Sequence, residues 1–77
     1  MMTILPFDQE WDAGDMGCGE LVLELLTRMK AMLPGRVLKL RALDPGARED
    51  LPAWCRMTGH ELVASRHPDY FIRRMEG

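Results

Sequence analysis

The sequence predicts an α/β (α+β) fold: a two-layer α/β sandwich in the order β-α-β-α-β-β, with a four-stranded mixed sheet and two helices on one face. Three observations lead there. Apolar residues recur at helical spacing over residues 19–33 and again over 47–58. Short runs able to form strands lie before, between and after these helices. Each junction carries a break: Pro34-Gly35, Asp44-Pro45-Gly46, Gly59 and His67-Pro68-Asp69. Both β-α-β crossovers are expected to be right-handed, which puts the two helices on the same face. The closing hairpin is antiparallel, so the sheet is mixed.

The elements follow in order. Residues 1–7 are expected to form a loose N-terminal segment. Residues 8–13 read as a short strand with Trp11 facing inward, although only Trp11 favours β structure there. In the first helix Val22, Leu25, Leu26, Met29, Met32 and Leu33 form the apolar stripe. Glu24 and Arg28 form an i,i+4 pair in the favourable order, and acids early with bases late suit the helix macrodipole. Residues 36–43 suggest a strand with Leu38, Leu40 and Ala42 inward and Lys39 and Arg41 outward. The second helix buries Leu51, Trp54, Cys55 and either Thr58 or Met57. Its Pro52 leaves two readings open: Asp50 caps a helix that begins there, or a longer helix from Ala47 contains the proline. Residues 60–66 and 70–74 are the last two strands, joined by a turn at 67–69.

The chain has 77 residues, 47% apolar and 29% charged, which is ordinary for one small globular domain spanning 1–77. A chain of this length buries only about 60–65% of its unfolded surface, so its core is modest. The net charge of −2 argues against strong direct nucleic-acid binding, which needs a surplus of Lys and Arg. No run is long enough to span a membrane, and the start, interrupted by Pro6, does not resemble a secretory leader. Two cysteines are too few to staple a secreted domain of this size. Cys18 and Cys55 are therefore expected to be free thiols in a cytoplasmic protein.

Cys18 is the candidate catalytic residue. It lies in Asp15-Met16-Gly17-Cys18-Gly19-Glu20, where a strand gives way to the first helix. The positive end of a helix favours a thiolate or a persulfide anion, so the expectation is a lowered pKa. The bland alternative is an inert small hydrophobe in a tight Gly-Cys-Gly turn; the two flanking glycines favour the exposed, reactive reading. Gly19, Glu20, Asp15 and Met16 are candidate supporting residues. Asp12 and Asp15 are expected as turn and cap residues, either of which would raise the thiol pKa. Met16 is expected to be exposed as a docking contact. Cys55 reads as core, and His60 as a structural hydrogen-bonding residue. Cys18, Cys55, His60 and His67 lack the paired spacing of a zinc site. Arg36, Lys39, Arg41, Arg73 and Arg74 form a basic strip on paper, either a solvated sheet face or a docking surface.

Three spaced anchors carry a resemblance. The first is Asp12-Ala13 followed by Cys18-Gly19-Glu20-Leu21-Val22. The second is Leu33-Pro34-Gly35. The third is Asp44-Pro45, then Asp50-Leu51-Pro52-Ala53-Trp54-Cys55, then His60-Glu61-Leu62-Val63. Over roughly residues 9–74 the chain resembles the TusA (SirA-like) family of small sulfur carriers. The family resemblance implies the β-α-β-α-β-β sandwich. It also implies that Cys18 accepts a persulfide sulfur from a donor protein, a cysteine desulfurase or a rhodanese-like protein, and relays it to an acceptor protein. The implied destinations are tRNA thiolation, cofactor assembly or sulfur metabolism, with no metal or organic cofactor. Here the family's Cys-Pro-x-Pro has become Cys18-Gly19-Glu20-Leu21. The expected consequences are a looser helix start and one more amide donor, from Leu21, near Cys18. The alternative that this departure raises is a non-catalytic interaction or regulatory module of the same fold.

Overall fold

A computed structural model describes residues 5–76. The order of elements is β1 (Gln9–Gly14), α1 (Cys18–Ala31), β2 (Val37–Ala42), α2 (Ala47–Thr58), β3 (Glu61–Arg66) and β4 (Asp69–Arg73). This is the order the sequence predicts, and α2 has the expected bounds. Helix α1 stops earlier than expected. Met32 is already extended (φ −91°, ψ 153°), because the chain must leave helical geometry ahead of Pro34. Leu33 consequently lies off the apolar stripe and is exposed. In α2 the longer helix is the one found: it starts at Ala47 and contains Pro52, with Gly46 and not Asp50 at the N-cap. Asp50 instead lies in the first turn, where a carboxylate suits the positive helix end.

The sheet order is β1-β2-β4-β3. Strands β1 and β2 are parallel neighbours, and β4 runs antiparallel to both β2 and β3. The register places Trp11 beside Leu40 and Leu40 beside Tyr70, and sets Leu38, Ile72 and Leu62 in one row. Those residues share the face that both helices cover. Leu21, Leu25 and Met29 of α1 and Leu51, Trp54 and Cys55 of α2 close the core over them. Each fully buried large side chain contributes about 1.5–3 kcal/mol, so this single layer carries most of the fold's stability. Met57, a candidate for the buried side of α2, is instead 83% exposed, and Thr58 is exposed too.

The other sheet face carries the basic residues, and each has an acid beside it. Arg36 meets Asp8 at 3.4 Å, Lys39 meets Glu10 at 3.7 Å, Arg41 meets Asp69 at 3.8 Å and Arg73 meets Glu61 at 2.8 Å. A neutralised face of this kind offers no cationic track. Arg74 serves the helix layer instead, where its guanidinium donates to the carbonyls of Lys30 (2.9 Å) and Met32 at the end of α1. A cation there satisfies carbonyls that lack helical partners and complements the negative helix end. Of the segment expected to be loose, residues 1–4 lie outside the described residues. Phe7 rests 6.3 Å from the Phe71 ring, and Asp8 bonds Val37 through both its amide and its carboxylate. No helix among the described residues is long and apolar enough to cross a membrane.

Candidate functional site

The parallel pairing of β1 and β2 brings their carboxyl ends, and the loops that follow them, to one edge of the sheet. Gly14 ends β1 with φ 58°, a conformation that favours glycine, and its carbonyl accepts from the Leu43 amide just beyond β2 at 2.9 Å. The β1–α1 loop and the β2–α2 loop are thereby tied together. Cys18 is the first residue of α1, after the N-cap Gly17. Asp44 sits in the β2–α2 loop. Open α/β sheets characteristically bind their ligands outside the carboxyl ends of parallel strands, which is where this thiol lies.

Asp44 meets the thiol directly. Cys18 Sγ donates to Asp44 Oδ2 at 2.9 Å, and the Gly46 amide donates to the same oxygen at 3.2 Å. Gly46 is packed into this contact. A Cβ added there would stand 3.0 Å from Asp44 Oδ2, 3.5 Å from Asp50 Oδ2 and 3.7 Å from Cys18 Sγ. Asp50, one turn into α2, supplies a second carboxylate beside the sulfur. The consequence reverses the expectation from sequence. The Cys18 thiol is pushed up to about 12, first by burial, then by hydrogen bonding to the two carboxylates and by their charge. The positive helix end is present, and no side chain caps it. It is outweighed at this sulfur by burial and by the two acids.

The other expected neighbours fall elsewhere. Asp12 is a turn residue, its Oδ1 accepting from the Gly14 amide at 2.9 Å. Asp15 is exposed and does not cap α1, whose N-cap is Gly17. The acids that raise the thiol pKa are Asp44 and Asp50, not Asp12 or Asp15. Met16 is half-buried against the core and not an exposed contact. Glu20 and Gly19 are both exposed in the first turn of α1. The Leu21 amide does not point a spare donor at the thiol; it bonds the Gly17 carbonyl at 2.8 Å, and the Leu21 side chain is buried.

Around the thiol, α1 and α2 form an open groove of about 260 Å³ lined by Cys18, Gly19, Val22, Asp50, Trp54 and Met57, among others. Tyr70 of β4 lies beneath this end. Its hydroxyl is 2.5 Å from His67 Nδ1, and its phenol is raised by burial, opposed by Arg48 and reinforced by Cys18. Cys55 packs in the core, and burial alone pushes it up to about 11. His60 Nδ1 accepts from the Met75 amide at 3.1 Å and its ring lies 5.5 Å from Trp54. Its pKa is lowered by burial and then by Arg74.

Sequence reasoning missed Asp44 and Gly46 as members of this site, reading Asp44-Pro45-Gly46 as a turn and Asp44-Pro45 as a family anchor. A signal was available. A β-α-β unit whose two strands pair directly sets the loops after them side by side, so placing β1 next to β2 would have paired the Cys18 loop with the Asp44 loop.

These features define a small two-layer α/β domain that presents one thiol at a helix start, between the ends of two parallel strands. The chain belongs to the TusA sulfurtransferase family, whose model matches residues 9–75. It is 37% identical over 73 residues to the sulfur carrier protein TusA of Pseudomonas paraeruginosa, covering 90% of this chain and 92% of that protein. It is 38% identical over 74 residues to TusA of Pseudomonas syringae pv. syringae, covering 91% and 88%. It is 40% identical over 60 residues to TusA of Allochromatium vinosum, covering 78% and 79%.

Proposed function

We propose that this protein is a cytoplasmic sulfur carrier that holds sulfur as a persulfide on Cys18. A donor protein, either a cysteine desulfurase or a rhodanese-like protein, supplies the sulfur, and an acceptor protein removes it. The observation that carries the reading is the placement of Cys18: half-buried in an open groove, on the first residue of α1, in a chain of the TusA family. Sulfur transfer needs little more than an accessible thiol, a way to ionise it and a surface for the partner. The groove beside Cys18, with Met57 standing at its rim, gives partners an apolar surface within reach of the thiol. The loaded state adds one sulfur about 2 Å beyond Sγ, toward the partner's thiol.

Incubation with a cysteine desulfurase and sulfur-labelled cysteine tests this. One label per chain is expected on the parent protein and none on Cys18→Ser, with both variants equally folded. Equal labelling of the two proteins, or of neither, sinks the carrier reading. A second reading has its own support: the carboxylates keep Cys18 protonated at neutral pH, as suits an interaction module that no longer carries sulfur. On that reading the parent takes no label, and partners bind Cys18→Ser as well as the parent.

A further inference from the structure

We propose that Asp44 is the proton carrier of the transfer reaction, taking the Cys18 proton as sulfur arrives and returning it as sulfur leaves. The inference rests on the sulfur-carrier reading and adds a second catalytic residue to it. Asp44 touches the reacting atom: its Oδ2 accepts the Cys18 Sγ hydrogen bond at 2.9 Å. That oxygen is held from its other side by the Gly46 amide at 3.2 Å, and Gly46 has no Cβ to displace it. A loose carboxylate near a thiol would be unremarkable chemistry. Here the carboxylate is anchored by backbone and aimed at one sulfur.

The need for a base follows from the thiol itself. With its pKa pushed up to about 12, only about one Cys18 in 10⁵ is ionised at pH 7, and the thiolate is the nucleophile. Spontaneous ionisation is therefore a poor route to attack. A high-pKa sulfur is, however, a strong nucleophile once its proton is gone. Removing that proton during attack combines the two properties. It also leaves the resting thiol unreactive toward oxidants and alkylating agents, so the sulfur reacts when a persulfide is in line.

The loading step balances in atoms and electrons. Cys18 Sγ attacks the outer sulfur of a donor persulfide, D–S–SH, while its proton moves to Asp44 Oδ2. The new Sγ–S bond forms as the donor's S–S bond breaks, and the donor leaves as D–S⁻. Asp44 then gives its proton to that thiolate, directly or through water. Cys18–SH and D–S–SH become Cys18–S–SH and D–SH; the electron pair that Sγ gives to the new S–S bond is matched by the pair the donor sulfur takes from the broken one, so no outside oxidant or reductant is needed. Delivery runs in the reverse sense. The acceptor thiol loses its proton to Asp44 and attacks the outer sulfur, and Asp44 protonates Cys18 as it departs. Asp50 also raises the thiol pKa, by hydrogen bonding and by charge, each behind the matching contribution of Asp44; the 2.9 Å hydrogen bond of Sγ goes to Asp44, and that makes Asp44 rather than Asp50 the proton carrier.

Glutathione persulfide is the donor of choice for the test, because it needs no protein docking. Loading at pH 7 is followed by mass, alongside alkylation of Cys18 by iodoacetamide. Asp44→Asn keeps an acceptor for the Gly46 amide but loses the charge. It is expected to alkylate faster than the parent and yet to load sulfur about 10²-fold more slowly, the scale of a lost general base. Asp44→Ala should regain loading as acetate is added. Asp50→Asn should alkylate faster and load at least as fast as the parent. If Asp44→Asn loads in step with its alkylation rate, or acetate restores nothing, Asp44 is not the proton carrier. Should the Asp44 variants not fold, the parent decides: loading slower in D₂O supports a proton in flight, and an unchanged rate overturns it. Failure of the parent to load, or equal loading of Cys18→Ser, overturns the carrier reading itself and is told apart by those two controls.

Discussion

Cys18 and Cys55 are both free thiols, both held well above the usual thiol range by burial, and only Cys18 has acids adding to the shift. Cys55 sits in the core among Leu51, Trp54 and the sheet, and burial alone accounts for its shift. Cys18 is more open to solvent yet is raised further: burial is again the largest cause, and two carboxylates that face it add to the shift. The difference shows which local effect wins at a helix start. The helix end offers roughly half a positive charge spread over the first turn, worth about 0.3–1 kcal/mol. A hydrogen bond from the neutral thiol to an ionised carboxylate is worth about 1.5–3 kcal/mol and favours the protonated form. At Cys18 the carboxylate is at 2.9 Å, and burial together with this bond prevails. Exposure and ionisation are thus separable: this fold makes one thiol accessible without making it acidic.

The largest expected effect is on reactivity against pH. An unperturbed thiol ionises near ~8.5, and its alkylation levels off about a unit above that. Cys18 should instead gain about tenfold in alkylation rate per pH unit from 7 to about 11, roughly 10⁴-fold in all, with no plateau near 9. Cys55, in the core, should react only through unfolding. The stability consequence has a definite sign. Both folded pKa values lie above the unfolded value of 9.0, so the unfolded chain releases these protons first. The contribution of each thiol is intact below pH 9 and is lost from there to about 11 for Cys55 and about 12 for Cys18. Melting curves at pH 8 and 10.5 should show the parent losing stability, and Cys18→Ser losing less. A plateau in Cys18 alkylation near pH 9 would break the contrast between the two thiols.

Gly46→Ala comes next in size and bears on Cys18 alone. The new methyl meets Asp44 Oδ2 at 3.0 Å, so the carboxylate must shift by a few tenths of an ångström or the loop must open. A displaced catalytic group costs up to about 10²-fold; for this small shift a loss on the order of tenfold in sulfur loading is expected. The core around Cys55 should be unaffected, with a change in stability of about 1 kcal/mol or less. Loading equal to the parent would mean that the Asp44 contact tolerates movement, and would weaken the case for a fixed carboxylate.

The fold was largely legible in the sequence, and the site only in part. Leu25, Met29 and Met32 of the expected stripe repeat at the helical period, joined in the core by Leu21, and Leu38, Leu40 and Ala42 repeat at the strand period. Both patterns survive because each element buries a single face. Met57 and Leu33 misled because apolar residues at the end of a helix need not face the core. The position of Cys18 followed from local signals, but its ionisation did not. That depends on Asp44 and Gly46, which approach it only through the parallel pairing of β1 with β2. Local charge reasoning turned to Asp12 and Asp15, the acids nearest in sequence. The acids nearest in space come from the loop and helix after β2. Of the two readings of the basic strip the solvated face is the one found, and a related reason hid this: the partners Asp8, Glu10, Glu61 and Asp69 become visible only once strands are paired.

The smallest expected effect tests whether the first turn of α1 also governs Cys18. Gly19 is exposed, has no positive φ, and a Cβ there would meet nothing within 4 Å. Its amide lies in the first turn, where no intrahelical partner exists, so proline removes no helix bond at this position. Gly19→Ala or Gly19→Pro should therefore stabilise the protein by about 0.4–1 kcal/mol, mainly by restricting the unfolded chain. If the thiol's properties are set by the Asp44 loop, both variants should keep the parent's alkylation profile and its loading rate within about twofold. A small rise in melting temperature with unchanged chemistry would leave the β2–α2 loop as the element that distinguishes Cys18 from Cys55. A substantial change in loading would instead give the mobility of the α1 start a share in that distinction.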